Sequence, residues 1–155
     1  MLRTSFPRLT PIGRESEALS AFQFQVRVYY EDTDRGGVVY YANYLRYFER
    51  ARSEWLRSLG VNQERLAAVE GIGFVVVRAE IDFKAGARLD ELLSVTVKVV
   101  EKKKTYFWLE QEARRGDGQV CAAARIQAAC VRHADMRPRP IPETLAAVFT
   151  SGLAA

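Results

Sequence analysis

The hydrophobic period of this chain changes to that of a helix for one long stretch only. Over 41–59, Tyr44, Phe48, Ala51, Trp55 and Leu59 recur at helical spacing on one face, while Arg46, Arg50, Ser53 and Arg57 occupy another. Gly60 follows, where a left-handed residue commonly ends a helix, and Asn43 is the expected cap at its start. A short second helix is expected over 62–70. Nearly everything else alternates with period two, so one long helix must find its cover on one sheet.

The alternating stretches predict five strands. At 21–30, Phe22, Phe24, Val26, Val28 and Tyr30 stand against Gln23, Gln25, Arg27 and Tyr29, the pattern of a half-buried strand. Over 74–84, Val75, Val77, Ala79, Ile81 and Phe83 form the expected inner side of a second. Strands around Leu93 to Val99 and over 105–114 come next, and Arg115-Gly116-Asp117-Gly118 marks a hairpin before the last strand at 119–132. That strand sets Val120, Ala122, Ala124, Ile126, Ala128 and Cys130 on one face, small enough to let Phe48 and Trp55 approach. The order predicts an α+β fold, one antiparallel five-stranded sheet wrapped around a long central helix.

Composition fits a single ordinary domain, since 48% hydrophobic residues in 155 suffice for a core. We read 1–20 as a loose N-terminal extension, 21–133 as the domain, and 134–155 as a surface segment with Pro138, Pro140 and Pro142 before a short helix at 143–149. No apolar run approaches a bilayer span. The first twenty residues mix Arg3, Arg8 and Arg14 with Glu15 and Glu17 and lack the apolar stretch of a secretory signal, so a cytoplasmic location is expected. Cys121 and Cys130, nine apart in one predicted strand, should face opposite ways and stay unpaired, which suits a reducing compartment. The net charge of +4 suits partners carrying phosphate. Its densest run, Lys102 to Lys104, falls at a strand turn, and no nucleic-acid partner is expected.

Several chemistries drop out. His133, the only histidine, ends a predicted strand, which disfavours Ser-His and Cys-His relays. There is no GxSxG, HExxH or phosphate-loop string, and the loop from Asp32 lacks calcium-binding acids at its fifth and twelfth positions, Gly36 and Asn43. Neither a metal nor a redox cofactor is expected. What stands out is Glu31, Asp32 and Asp34 between Tyr29-Tyr30 and Tyr40-Tyr41, directly ahead of the helix. On spacing alone such acids more often bond turn amides, with Gly36 and Gly37 supplying the turn.

The run VRVYYEDTDRGGVVYYANYLRYFERARSEWLRSLG, residues 26–60, resembles the acyl-CoA thioesterases of the 4-hydroxybenzoyl-CoA thioesterase family, most closely the branch associated with the Tol-Pal system. The likeness continues through GFVVVRAEIDFKAGARLDELLSV to MRPRPIP. It implies a hotdog fold, an acyl-CoA substrate, and a homodimer with shared sites, paired into a homotetramer. It places catalysis on Asp34, with Tyr30 in the same motif and Asp32 in support. It gives position 41 the backbone amide that holds the oxyanion; the Tol-Pal branch usually has histidine there, the hydroxybenzoyl enzyme a tyrosine like Tyr41. Gly37 and Asn43 beside the motif join Arg88, Lys102 and Lys104 as candidate substrate contacts, with Lys103 and Arg125 as further basic candidates for the coenzyme phosphates.

The chemistry is self-consistent without histidine. The leaving group is a thiolate whose acid has a pKa of roughly 8.5, so it departs with little protonation. Stabilising the oxyanion is the harder task, and amides at a helix N-terminus arrive with their dipoles aligned. Asp34 can attack the carbonyl or activate water; an ordinary aspartate, with a pKa of about 3.9, is a weak base, which favours attack. An aliphatic acyl group is the first expectation and an aromatic one the second. A non-catalytic hotdog that binds acyl-CoA or a protein is the alternative of another class.

Overall fold

The computed structural model describes residues 21–151, and the extension expected over 1–20 lies outside them. Within these residues five strands form one antiparallel sheet in the order β1-β3-β4-β5-β2. They are β1 Phe22–Arg27, β2 Ile72–Phe83, β3 Leu92–Lys102, β4 Tyr106–Arg114 and β5 Val120–Arg132. The long helix α1, Asn43–Ser58, packs against β1, β3 and β4. A short α2, Gln63–Arg65, runs on into a π turn at Leu66–Glu70, and α3 spans Glu143–Ser151.

Helix α1 ends as its sequence predicts. Gly60 takes φ 81°, and the Val61 amide reaches back to the Leu56 carbonyl at 3.0 Å. Its start corrects the expectation for Asn43. Ala42 holds the cap position without a side-chain bond, and Asn43 is the first helical residue, its Nδ2 donating to the Asp32 carbonyl at 2.9 Å. The side chain ties the helix to the preceding loop because that carbonyl, and not a helical amide, lies within its reach.

The core is the meeting of large helix residues with small strand residues. Tyr44, Tyr47, Phe48, Ala51, Trp55 and Leu56 are buried on α1, and Ala122, Ala124 and Ala128 are buried on β5. Each buried large apolar side chain contributes about 1.5–3 kcal/mol. Beneath the helix, Gln111 is wholly buried: its Nε2 donates to the carbonyls of Phe48 (3.1 Å) and Thr96 (3.2 Å), and its Oε1 accepts from Arg52 at 2.9 Å. At the other end of α1, Phe149 of α3 stacks on Trp55 at 5.1 Å and meets Phe107 at 4.8 Å. The C-terminal segment thus runs exposed to Pro140 and then returns Ile141, Leu145 and Phe149 to the core.

Three departures from simple alternation have local causes. In β2 the register skips Val77, so Phe74 and Val76 oppose Cys130 and Ala128, and Ala79, Ile81 and Phe83 oppose Ile126, Ala124 and Ala122. The bulge inverts the expected phase before Val77. Cys121 is the extra residue where the β4 register passes from Ala113 to Arg114, and both cysteines join the same core instead of facing opposite ways. They are free, because nine residues of strand hold them roughly 30 Å apart. Finally, β1 stops at Arg27 and a 3-10 turn at Tyr30–Asp32 carries Tyr30 off the inner face to 83% exposure.

Candidate active site

The acidic stretch folds as a small hairpin that delivers the chain into α1. Thr33 pairs with Val39 across it, the Asp34 amide donates to the Val38 carbonyl at 2.8 Å, and the Gly37 amide returns to the Asp34 carbonyl at 3.0 Å. Gly37 has φ 79°, a conformation that side chains resist. The Gly36 amide donates to Asp34 Oδ1 at 2.8 Å, and a Cβ at Gly36 would sit 3.0 Å from that oxygen. Asp34 is exposed, with Oδ1 oriented by one backbone donor.

Its neighbour has a different job. Asp32 is buried; its Oδ2 accepts the Tyr29 amide at 2.8 Å, and its carbonyl accepts both the Tyr40 amide and Asn43 Nδ2 at 2.9 Å. These bonds fix where the hairpin joins the helix. There the Asn43 amide turns back to the Tyr40 carbonyl at 2.8 Å, while the amides of Tyr41 and Ala42 donate to no acceptor among the described residues. These two amides immediately precede the first turn of α1, in the segment that joins it to the hairpin bearing Asp34.

The surroundings are aromatic. Tyr41, 60% exposed, stands edge-on to Tyr40 at 4.9 Å and to Phe83 at 5.8 Å. Phe83 closes β2 and also lies 5.9 Å from Tyr44. Behind this wall the hydroxyls of Tyr44 and Tyr47 are buried and close no hydrogen bond among the described residues. Burial pushes both phenol pKa values well above the tyrosine range, reinforced by Cys121 beside Tyr44 and by the Asp32 carboxylate beside Tyr47.

The structure brings some of the sequence candidates together and separates others. Asp34, Gly37, Tyr41 and Asn43 share the hairpin and helix start. Arg88 joins them, because it bridges to Val38 and its Nη1 lies 3.9 Å from a Cβ position on Gly37. Tyr30 contributes its carbonyl to the turn, accepting from Thr33 Oγ1 at 2.9 Å, while its ring points to solvent. Lys102, Lys103 and Lys104 stand at the opposite end of β3, roughly 33 Å of strand from Leu92. Arg125 lies over the Trp108 ring at 4.5 Å, in register with Glu80, away from the hairpin. Sequence reading missed Phe83 as part of the wall and the tyrosine pair at 44 and 47. Tyrosine on the buried side of a helix, where phenylalanine would fill the same space, was the available signal.

Comparison with known proteins bears on the fold and the family. The model of the thioesterase-like superfamily matches residues 28–149. The acyl-CoA thioesterase YbgC of Haemophilus influenzae is 43% identical over 130 residues, covering 84% of this chain and 95% of the relative. The acyl-CoA thioester hydrolase YbgC of Escherichia coli is 38% identical over 83% of this chain and 95% of its own. Among solved structures, a probable thioesterase from Bartonella henselae superposes with a TM-score of 0.75 at 39% identity, covering 79% of this chain and 99% of that one. A 1,4-dihydroxy-2-naphthoyl-CoA thioesterase from Synechocystis reaches 0.78 at 25% identity, covering 84% and 96%. These structural neighbours are hotdog-fold thioesterases, and the five-stranded antiparallel sheet with its long helix is that fold.

Proposed function

The chain belongs to the thioesterase-like superfamily, and from that premise we propose that it hydrolyses acyl-CoA thioesters to a free acid and coenzyme A at the hairpin bearing Asp34. The observation that carries the reading is the pairing of that exposed, oriented carboxylate with the undonated amides of Tyr41 and Ala42. The thioester carbonyl oxygen takes the Tyr41 amide, and Asp34 attacks the carbonyl carbon. The C–S bond breaks, the thiolate leaves, and water cleaves the resulting anhydride. General-base activation of water by Asp34 is the competing route; heavy oxygen from labelled water entering Asp34 in a single turnover supports the anhydride.

Arg88, beside Gly37, supplies positive charge for the coenzyme, and Gly37 and Asn43 keep the hairpin in place. Lys102 and Lys104 serve this site only where another protomer brings them close. Such a protomer has a ready place: β2 is an edge strand exposing Val76, Val77 and Phe83, and a homodimer joined along it, paired into a homotetramer, would cover them. No helix among the described residues is long and apolar enough to cross a membrane, and the proposed setting is the cytoplasm. An aromatic acyl group is the second reading, favoured by the rings of Tyr40, Tyr41 and Phe83 at the site. Assay of purified protein against aliphatic and aromatic acyl-CoAs tests both, and turnover of none overturns the enzymatic reading.

A further inference from the structure

Helix α1 aims two side chains at one residue of the hairpin. Asn43 and Tyr47 stand four apart on one face, and helical side chains lean toward the N-terminus. Asn43 Nδ2 reaches the Asp32 carbonyl at 2.9 Å. One turn on, the Tyr47 phenol leans back over the same ground and lies beside the Asp32 carboxylate. Its ring is wholly buried and is met edge-on by Tyr44 at 5.9 Å, so packing holds it in that direction.

Donor and acceptor are both incomplete. The Tyr47 hydroxyl is buried and closes no hydrogen bond among the described residues. Of the two Asp32 carboxylate oxygens, Oδ2 takes the Tyr29 amide at 2.8 Å, and Oδ1 takes no closed bond among the described residues. An unpaired buried hydroxyl is costly, and this carboxylate is the acceptor beside it. Burial first, and the carboxylate second, raise the phenol above the ordinary tyrosine value, so it keeps its proton to donate. Active-site bonds are often open in a free enzyme and tighten around substrate.

The bonds Asp32 already makes give this one its leverage. Its carboxylate takes the Tyr29 amide ahead of the hairpin, and its carbonyl takes the Tyr40 amide on the returning limb and Asn43 on the helix. Asp34 follows on one limb, and the Tyr41 amide comes directly after Tyr40 on the other. A shift at Asp32 therefore moves the Asp34 carboxylate and the Tyr41 amide against each other. A misplacement of about 1 Å between reacting groups costs about a hundredfold in rate.

We propose that Tyr47 is a positioning residue for the hydrolysis: its hydroxyl donates to Asp32 Oδ1 and, through Asp32, holds Asp34 and the Tyr41 amide in place. The inference rests on the thioesterase reading above. Tyr47 acts on the geometry of the reacting groups, so it governs kcat and not the choice of acyl group.

The test is a double-mutant cycle of wild type, Tyr47→Phe, Asp32→Ala and the pair. Both kcat and KM are read for aliphatic and aromatic acyl-CoAs, with thermal melts to verify folding. Tyr47→Phe removes one oxygen and keeps the packing. We expect it to lower kcat about tenfold, by the same factor for every acyl-CoA that wild type hydrolyses, with KM within about twofold and the melt nearly unchanged. The pair should be no slower than Asp32→Ala alone, because Tyr47 has then lost the group it acts through. A Tyr47→Phe kcat within about twofold of wild type overturns the positioning role while leaving the thioesterase in place. Losses that multiply in the pair, or a loss confined to one acyl class, do the same. If Asp32→Ala does not fold, the kcat and KM of Tyr47→Phe decide alone. No turnover by wild type overturns both readings.

Discussion

The two ends of α1 are built on opposite terms. At its start, backbone amides lack partners, rings stand half in solvent, and position is held by hydrogen bonds from Asp32 and Asn43. At its end, Gly60 and Val61 close the backbone, and Trp55, Phe74, Phe107 and Phe149 form a packed aromatic cluster. One helix thus carries its unspent bonding capacity at one tip and much of its packing at the other. Substitutions at the two tips should separate activity from stability.

The largest separation is expected at Asp34. Asp34→Asn removes the negative oxygen but keeps the turn acceptor for the Gly36 amide, so kcat/KM should fall on the order of a thousandfold or more with the melting curve nearly unchanged. Wild-type rates in that variant would break the comparison. Phe149→Ala makes the converse case: it opens a void under Trp55 and should cost about 3–5 kcal/mol in denaturant unfolding, with the intrinsic chemistry at the hairpin retained. Loss of activity in fully folded Phe149→Ala would show that the ends are not separable. Tyr41→Phe should change kcat by less than about threefold if only the amide acts, because the amide survives the substitution.

A last prediction concerns pH. The folded-state pKa values of the Tyr44 and Tyr47 phenols are raised, so the stability tied to their neutral forms is fully present below about pH 10, the ordinary tyrosine value. It is lost as pH rises from there toward the folded values. The double variant with phenylalanine at both positions should show a shallower alkaline decline in melting temperature; an unchanged decline would mean these phenols do not drive it.

Much of the fold was legible because it rests on period. The helix, its glycine stop and the small face of β5 follow from side-chain spacing and volume, and all reappear in the structure. What period cannot convey is an inserted residue: the bulges at Val77 and Cys121 each invert one stretch, although nothing in either side chain announces it. At the site, spacing alone left Asp32 and Asp34 equivalent. Burial separates them, since Asp32 is enclosed by the bonds it makes and Asp34 is left outside. Charge in a sequence carries no address, so spacing could not show where the lysines at 102–104 stand relative to Asp34 within one protomer. Only the sheet order shows that the hairpin bearing them points away from Asp34.

Gln111 has a further consequence. It grips α1 by a carbonyl and a side chain four residues apart, Phe48 and Arg52, and grips β3 through Thr96. Sliding the helix by one residue would turn it by about 100°, and no such step keeps both groups opposite the same amide. The helix is indexed to the sheet like a shaft on a key. Any widening of the site to admit a substrate therefore falls to the hairpin at 33–39, not to the rod behind it.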